Sequence, residues 1–247
     1  MSKSLSLFRH RRAILIVLFG LLVCLSLFVG VLDVSVIDII EGNPDTWNIL
    51  WVSRIPRTLA IILTASSLSI AGLIMQAISR NKFISPSTAG TTNAAILGVL
   101  LGYLIMGDQS LIIRSIFAFI FALISTFIFM LMLRKIKFKN VIYVPLIGMM
   151  YGAMISSIAT FIAHRYQALQ FLNTIGIGGF SNKAVGSYEL LYIVVPGMIV
   201  AWIYATRFSI VGMGEDFAKN LGVRYGFVIS VGLMIIAIVS SDRKSVV

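Results

Sequence analysis

One cysteine, two histidines and nine carboxylates are all that 247 residues hold of the side chains that most often do chemistry. A lone Cys24 inside an apolar run excludes a disulfide framework and a CxxC metal or redox pair. Neither His10 nor His164 has a second ligand near it in the chain. His10 reads as part of a basic flank and His164 as an interfacial cap, so no metal site is expected. There is no GxxxxGKS/T phosphate loop, no HExxH, no GxSxG, and no carboxylate pair within an apolar run. An enzyme active site has almost nothing to work with, and no cofactor is implied. Charge of either sign is scarce, at 12% against about 25% in soluble domains.

What is abundant is apolar: 59% of residues are hydrophobic and the mean hydropathy is +1.00. A water-soluble globule of this composition would carry large exposed apolar patches, so the solvent must be the bilayer. The net charge of +11 does not point to nucleic acid, because the basic residues fall in short clusters between apolar runs, as in membrane proteins.

A hydrocarbon core of about 30 Å takes about 20 helical residues. Seven runs qualify: Ala13 to Leu32, Thr58 to Ser79, Ser87 to Met106, Leu111 to Leu133, Val141 to Ala163, Leu190 to Arg207 and Tyr225 to Ser241. The third is the weakest, since Thr88 to Asn93 is polar. The first follows Arg9, Arg11 and Arg12 but has no Ala-x-Ala-like site after it, so it reads as an uncleaved helix. With the amino terminus in the cytoplasm, the inside segments collect 13 Lys+Arg against 2 Asp+Glu and the outside ones 7 against 7. The positive-inside rule supports that orientation. Asp33 to Ser53 is then an outside loop, Arg80, Lys82, Arg134, Lys135, Lys137 and Lys139 lie inside, and Arg207 to Arg224 is cytoplasmic. Gln167 to Ser187, with Gly176, Gly178, Gly179 and Gly186, is too polar for a crossing and reads as an outer loop with a short helix. The fold class expected is all-α: a polytopic membrane bundle forming a single domain over 1–247, without linker or repeat.

No Asp or Glu lies within a span, which disfavours proton or ion relays. The phenylalanines from Phe117 to Phe129 read as a lipid-facing surface. Gly98 with Gly102, Gly148 with Gly152, and Ala65, Ser69 and Gly72 on one helix face read as sites of close helix packing.

Two segments do not reduce to lipid solubility. Arg54-Ile55-Pro56-Arg57-Thr58 stands where the second helix is expected to start, with proline in the first turn. Two cations at the positive end of a helix dipole call for an anionic partner, or else serve as an interfacial anchor. The second segment runs from Val211 to Val223. Glycines bound a stretch with Glu215 and Asp216 in its first turn and Lys219 near its end, the pattern of a short capped helix. Phe217, Ala218 and Leu221 are expected to share an apolar face, which suits either a plain surface helix or a knob for a cytoplasmic partner.

At these segments the chain resembles the permease family of type II ATP-binding-cassette importers (FecCD-like) that includes the vitamin B12 and iron–siderophore permeases. The likeness rests on Arg54-Ile55-Pro56-Arg57-Thr58-Leu59-Ala60, Gly72 and Gln76, Arg80-Asn81, Pro86 with Gly90, and Gly214-Glu215 with Ala218 and Leu221-Gly222. It implies a dimer-forming permease in the cell membrane, with a second permease subunit, two cytoplasmic ATP-binding subunits and an extracytoplasmic substrate-binding protein as partners. It also implies that Arg54 and Arg57 meet acidic residues of the binding protein. Gly214, Glu215, Ala218, Leu221 and Gly222 then belong to the coupling helix seated on the ATPase.

The expected function is import of an iron–siderophore complex, with no catalysis by this chain. The Trp-x-x-Gly-Ser pattern of the family is replaced by Ile175, Gly178 and Gly179. Family members have ten helices, so about seven of ten spans are expected here, with the C-terminal part of the family domain missing after the polar tail Ser240 to Val247. An inactive truncated remnant and an ion-coupled secondary carrier are the rival readings.

Overall fold

The computed structural model describes residues 2–29, 41–107, 111–135, 143–177, 192 and 194–245. Among these there is helix and turn but no strand. The helices are α1 (Ser2–Phe28), α2 (Pro44–Ile49), a π-helical turn (Leu50–Arg54), α3 (Ile55–Ser79), α4 (Thr91–Met106), α5 (Leu111–Lys135), α6 (Tyr143–Arg165), α7 (Leu169–Ile177), α8 (Val194–Ile203), α9 (Ala205–Met213), α10 (Glu215–Asn220) and α11 (Tyr225–Ser245). Each of the seven apolar runs contains helix in its described part, although Ser87 to Gly90 of the third is turn.

Three described stretches are long and apolar enough to cross a membrane alone: Pro44–Ser79, Ile112–Leu133 and Tyr143–Arg165. The pair α8 and α9, bent by 61°, passes the same test if taken as one span. Ala13–Phe28, Thr91–Met106 and Tyr225–Ser241 are shorter apolar helices. Gly178, Gly179 and Gly186 of the expected outer loop, residues 33–40 of the loop after Leu32, and Lys137 and Lys139 lie outside the described residues.

The chain divides into two compact units. The first, 1–62 with 181–188, contains the least expected feature. The second apolar helix does not open at Arg54. It opens at Pro44, where Asn43 caps it by accepting the Asp45 N–H at 3.1 Å, and it runs continuously to Ser79. Pro56 therefore sits in a helix interior, where it has no N–H to give the fourth residue back and its ring crowds that carbonyl. The chain answers with one wide turn, in which the Ile55 N–H reaches the Leu50 carbonyl five residues back. The helix-dipole argument for the two arginines falls with this correction, because the first turn carries Asp45 instead. The apolar side chains of α1, Ile14 to Phe28, are exposed nearly all round.

The second unit, 63–180 with 189–247, holds the packed core. Its most extensive helix pair is α4 with α5, followed by α11 with α5. Glycine makes the first possible: a Cβ on Gly98 would stand 2.5 Å from the Phe117 carbonyl oxygen and 2.9 Å from Ala118 Cα. Gly148 of α6 likewise approaches the Thr88 carbonyl oxygen and the Phe129 ring, and Gly152 approaches Asn93. Two polar contacts bridge neighbouring helices in this core, of the kind that lipid favours. Asn93 Nδ2 donates to the Gly152 carbonyl at 2.7 Å. The Thr126 hydroxyl donates to the Ala122 carbonyl and lies 3.1 Å from the Thr91 hydroxyl, which is left as the donor of that pair.

The third run starts late. Ser85 to Gly90 is a chain of turns in which the Ser85 N–H donates to Thr88 Oγ1 at 2.8 Å and the Thr88 hydroxyl returns a bond to the Ser85 carbonyl. Such local side-chain bonds compete with helix, so α4 begins only at Thr91. The phenylalanine surface of α5 is also corrected. Phe129 is fully buried, and the exposed stripe is Ile112, Ile116, Ile120, Ile124, Phe127, Ile128 and Leu131. Ala65 and Ser69 of the small-residue face on α3 are exposed, and a Cβ on Gly72 would meet nothing within 4 Å, so no close packing occurs there among the described residues.

Candidate functional site

The segment after α9 forms the short helix read from the sequence. Gly214 takes φ 128° and ψ 164°, a conformation that suits glycine, and its carbonyl accepts the Ala218 N–H at 3.0 Å. At the other end Gly222, φ 72°, donates to the Lys219 carbonyl at 3.0 Å, and the Val223 N–H reaches the Ala218 carbonyl at 2.9 Å. These two bonds make a Schellman stop, which fixes α10 at under two turns. Lys219 and Glu215 pair across one turn at 2.9 Å. The hydrogen bond that Lys219 donates to the Glu215 carboxylate, with the carboxylate's charge, raises the Lys219 pKa above the ordinary 10.5.

The apolar face is split. Ala218 is fully buried, where α10 packs on α9 and the start of α11, whereas Phe217 and Leu221 are about half exposed. The expectation of one shared face is corrected: Ala218 seats the helix, and Phe217 and Leu221 are presented outward. Arg80, at the end of α3 with φ 54°, lays its guanidinium 3.6 Å from where a Gly214 Cβ would be. A Cβ on Gly212 would stand 3.6 Å from Ala77 Cα of α3. The segment thus runs close beside the end of α3.

The two outer arginines differ. Arg54 is 4% exposed and donates from Nη1 to the Val29 carbonyl at 3.0 Å, tying the end of α1 to the π-turn. Beside it, the Ser26 and Thr58 hydroxyls are 3.0 Å apart. Arg57 is only half-buried. Both are expected at a surface from the sequence; the wide turn before Pro56 rotates Arg54 inward.

Three further arginines stand out in the structure and not in the sequence. Arg114 of α5 is buried with its guanidinium carbon 5.9 Å from the Phe171 ring centroid, and Phe171 stacks on Tyr103 at 3.8 Å. Its signal was a lone arginine inside an apolar run. Arg207 and Arg224 line a groove of about 490 Å³ beside α10. Their signal was two arginines flanking the Gly214 to Gly222 segment.

The FecCD transport family model matches residues 15–246, nearly the whole chain. The chain belongs to the FecCD transport family. Among FecCD relatives, it is 44% identical over 227 residues to the petrobactin import system permease protein YclN of Bacillus subtilis (strain 168), covering 92% of this chain and 72% of that protein. It is 35% identical over 224 residues to the ferric-anguibactin transport system permease protein FatD of Vibrio anguillarum (strain ATCC 68554 / 775), covering 91% and 71%. A solved structure described as an inward-facing conformation of a metal-chelate type ABC transporter superposes with a TM-score of 0.74 at 20% identity. It covers 93% of this chain and 75% of that one. At that identity the likeness speaks for the fold, and the fold is that of a membrane FecCD bundle.

Proposed function

We propose that this chain is the permease subunit of an ATP-driven importer that moves an iron–siderophore complex across the cell membrane, acting as one transmembrane domain. The observation that carries the reading is 44% identity to a petrobactin permease along nearly the whole chain, with a second relative that serves ferric anguibactin. ATP hydrolysis belongs to separate cytoplasmic subunits, and an extracytoplasmic binding protein and a second permease subunit complete the importer. The amino terminus is cytoplasmic, an orientation supported by the clustering of Lys and Arg on that side.

In this reading α10 is the coupling element. Glu215, held by Lys219, closes its first turn, Gly214 and Gly222 set its ends, Ala218 seats it, and Phe217 and Leu221 enter the ATPase cleft. Approach of the two ATPases pushes on α10, and α3, whose Ala77 and Arg80 lie close beside Gly212 and Gly214, takes up that displacement. Transport follows only if the ligand is held differently in the two states. On the outer side Arg57 is the cation that meets an acidic residue of the binding protein, while Arg54 holds α1 in place beneath it.

The test is uptake of radioactive iron bound to petrobactin, in cells lacking their own siderophore permeases and supplied with this chain and its importer partners. ATP-dependent accumulation, lost in Glu215→Arg, is expected. Uptake that persists without the ATPase and follows an ion gradient would show a carrier, and correctly inserted protein with no uptake would show an inert remnant.

A further inference from the structure

The groove beside α10 is lined by Arg207 from α9, by Leu221, Gly222 and Val223 from the turn after α10, and by Arg224 and Phe227 at the head of α11. Two cations face a space of about 490 Å³ to which no lining residue brings a carboxylate. Arg207 is anchored by an aromatic ring, and Arg224 is placed by its backbone. The Arg207 guanidinium carbon lies 4.7 Å from the centroid of the Tyr204 ring, which is itself flanked by Phe208 at 6.3 Å and Phe227 at 6.4 Å. Arg224 is the residue whose carbonyl accepts the Val228 N–H at 3.1 Å, so it sits at the amino-terminal end of α11, where the helix adds partial positive charge.

From this we infer that the groove receives an acidic side chain of the ATPase subunit, and that Arg207 and Arg224 form the electrostatic half of the surface whose apolar half is Phe217 and Leu221. The inference rests on the coupling role proposed for α10. Continuity selects a protein occupant over a lipid headgroup: Leu221 both lines the groove and is one of the two outward apolar side chains of α10, so whatever covers that helix also closes the groove. A carboxylate entering the groove meets two guanidinium groups that are exposed in this chain, and the partner's own surface excludes water around the charge-assisted hydrogen bonds.

The experiment uses the full 247-residue chain in detergent and the ATPase subunit of the same importer, with affinity measured at low and at moderate salt. Arg207→Gln and Arg224→Gln are each expected to weaken binding about fivefold, and the double variant roughly 25-fold with a flattened salt dependence. Phe217→Ala is the control for the apolar half, and an unchanged size-exclusion profile checks that each variant is folded. Binding by the wild type that weakens in Phe217→Ala but is unchanged in the double variant overturns the groove assignment and leaves the coupling helix standing. Loss of a co-purifying anionic phospholipid from the double variant, seen by native mass spectrometry with ATPase affinity unaltered, overturns it in favour of a lipid site. No binding by the folded wild type removes the coupling reading and the groove assignment together.

Discussion

Replacing Gly98 by alanine adds one methyl group at the closest approach of α4 and α5. That carbon would stand 2.5 Å from the Phe117 carbonyl oxygen, 2.8 Å from the Phe117 carbonyl carbon and 2.9 Å from Ala118 Cα. All three are backbone atoms and cannot swing aside, so the two helices must part by roughly 1 Å to restore ordinary contact near 3.4 Å. Overpacking of this kind costs about 1–3 kcal/mol. The better helix propensity of alanine returns up to ~1 kcal/mol. The expected net loss is about 1–2 kcal/mol, and a chain of this size then melts on the order of 3–6 °C lower. Gly72→Ala is the matched control, because a Cβ there meets nothing within 4 Å. Thermal unfolding in detergent, followed by circular dichroism, compares the two variants with the wild type. A Gly98→Ala protein that melts with the wild type, or a Gly72→Ala protein that loses as much, would refute the claim that these glycines differ by their neighbours.

Three further outcomes follow from the same geometry. Arg54→Ala should strip the Val29 carbonyl of its donor, cost about 1–3 kcal/mol and open the α1–α2 region to protease, whereas Arg57→Ala should leave proteolysis unchanged and weaken capture of the binding protein. Phe217→Asp is expected to keep the wild-type melting temperature and lose ATPase binding, while Ala218→Asp should lower the melting temperature first, since it places a carboxylate in a fully buried seat; the reverse order would contradict the split face of α10. Because the Lys219 pKa is raised in the folded chain, the pair with Glu215 contributes below pH 10.5 and its contribution is lost as pH climbs through the folded value. Lysine NMR should show Lys219 titrating above its ordinary range and returning toward it in Glu215→Gln.

The apolar runs, the glycine pairs and the two ends of α10 were legible because each is a local pattern: hydropathy over about 20 residues, a spacing of four, a glycine before and after a short charged turn. The burial of Arg54 was not local. It depends on the helix having started at Pro44, so that Pro56 forces a wide turn and one extra residue shifts the phase of every side chain around it. The bend between α8 and α9 lies at Tyr204, φ −90° and ψ 1°, with no proline or glycine there to announce it. The phenylalanines of α5 misled for a related reason. Phe129 turns inward because Gly148 leaves room for its ring, and that room belongs to another helix. Phe217 and Ala218 are neighbours in sequence, but fewer than two turns of helix place them on opposite sides of the packing boundary.

The central claim is that this FecCD chain imports an iron–siderophore at the expense of ATP hydrolysed on a partner. Its most direct measurement is made in proteoliposomes that contain the chain, its ATPase subunits and its second permease subunit, with the substrate-binding protein and radioactive iron–siderophore added on one side. The account predicts iron accumulation that requires ATP and disappears in Glu215→Arg. Accumulation that ignores ATP and follows an imposed ion gradient, or none from a correctly assembled complex, would contradict it.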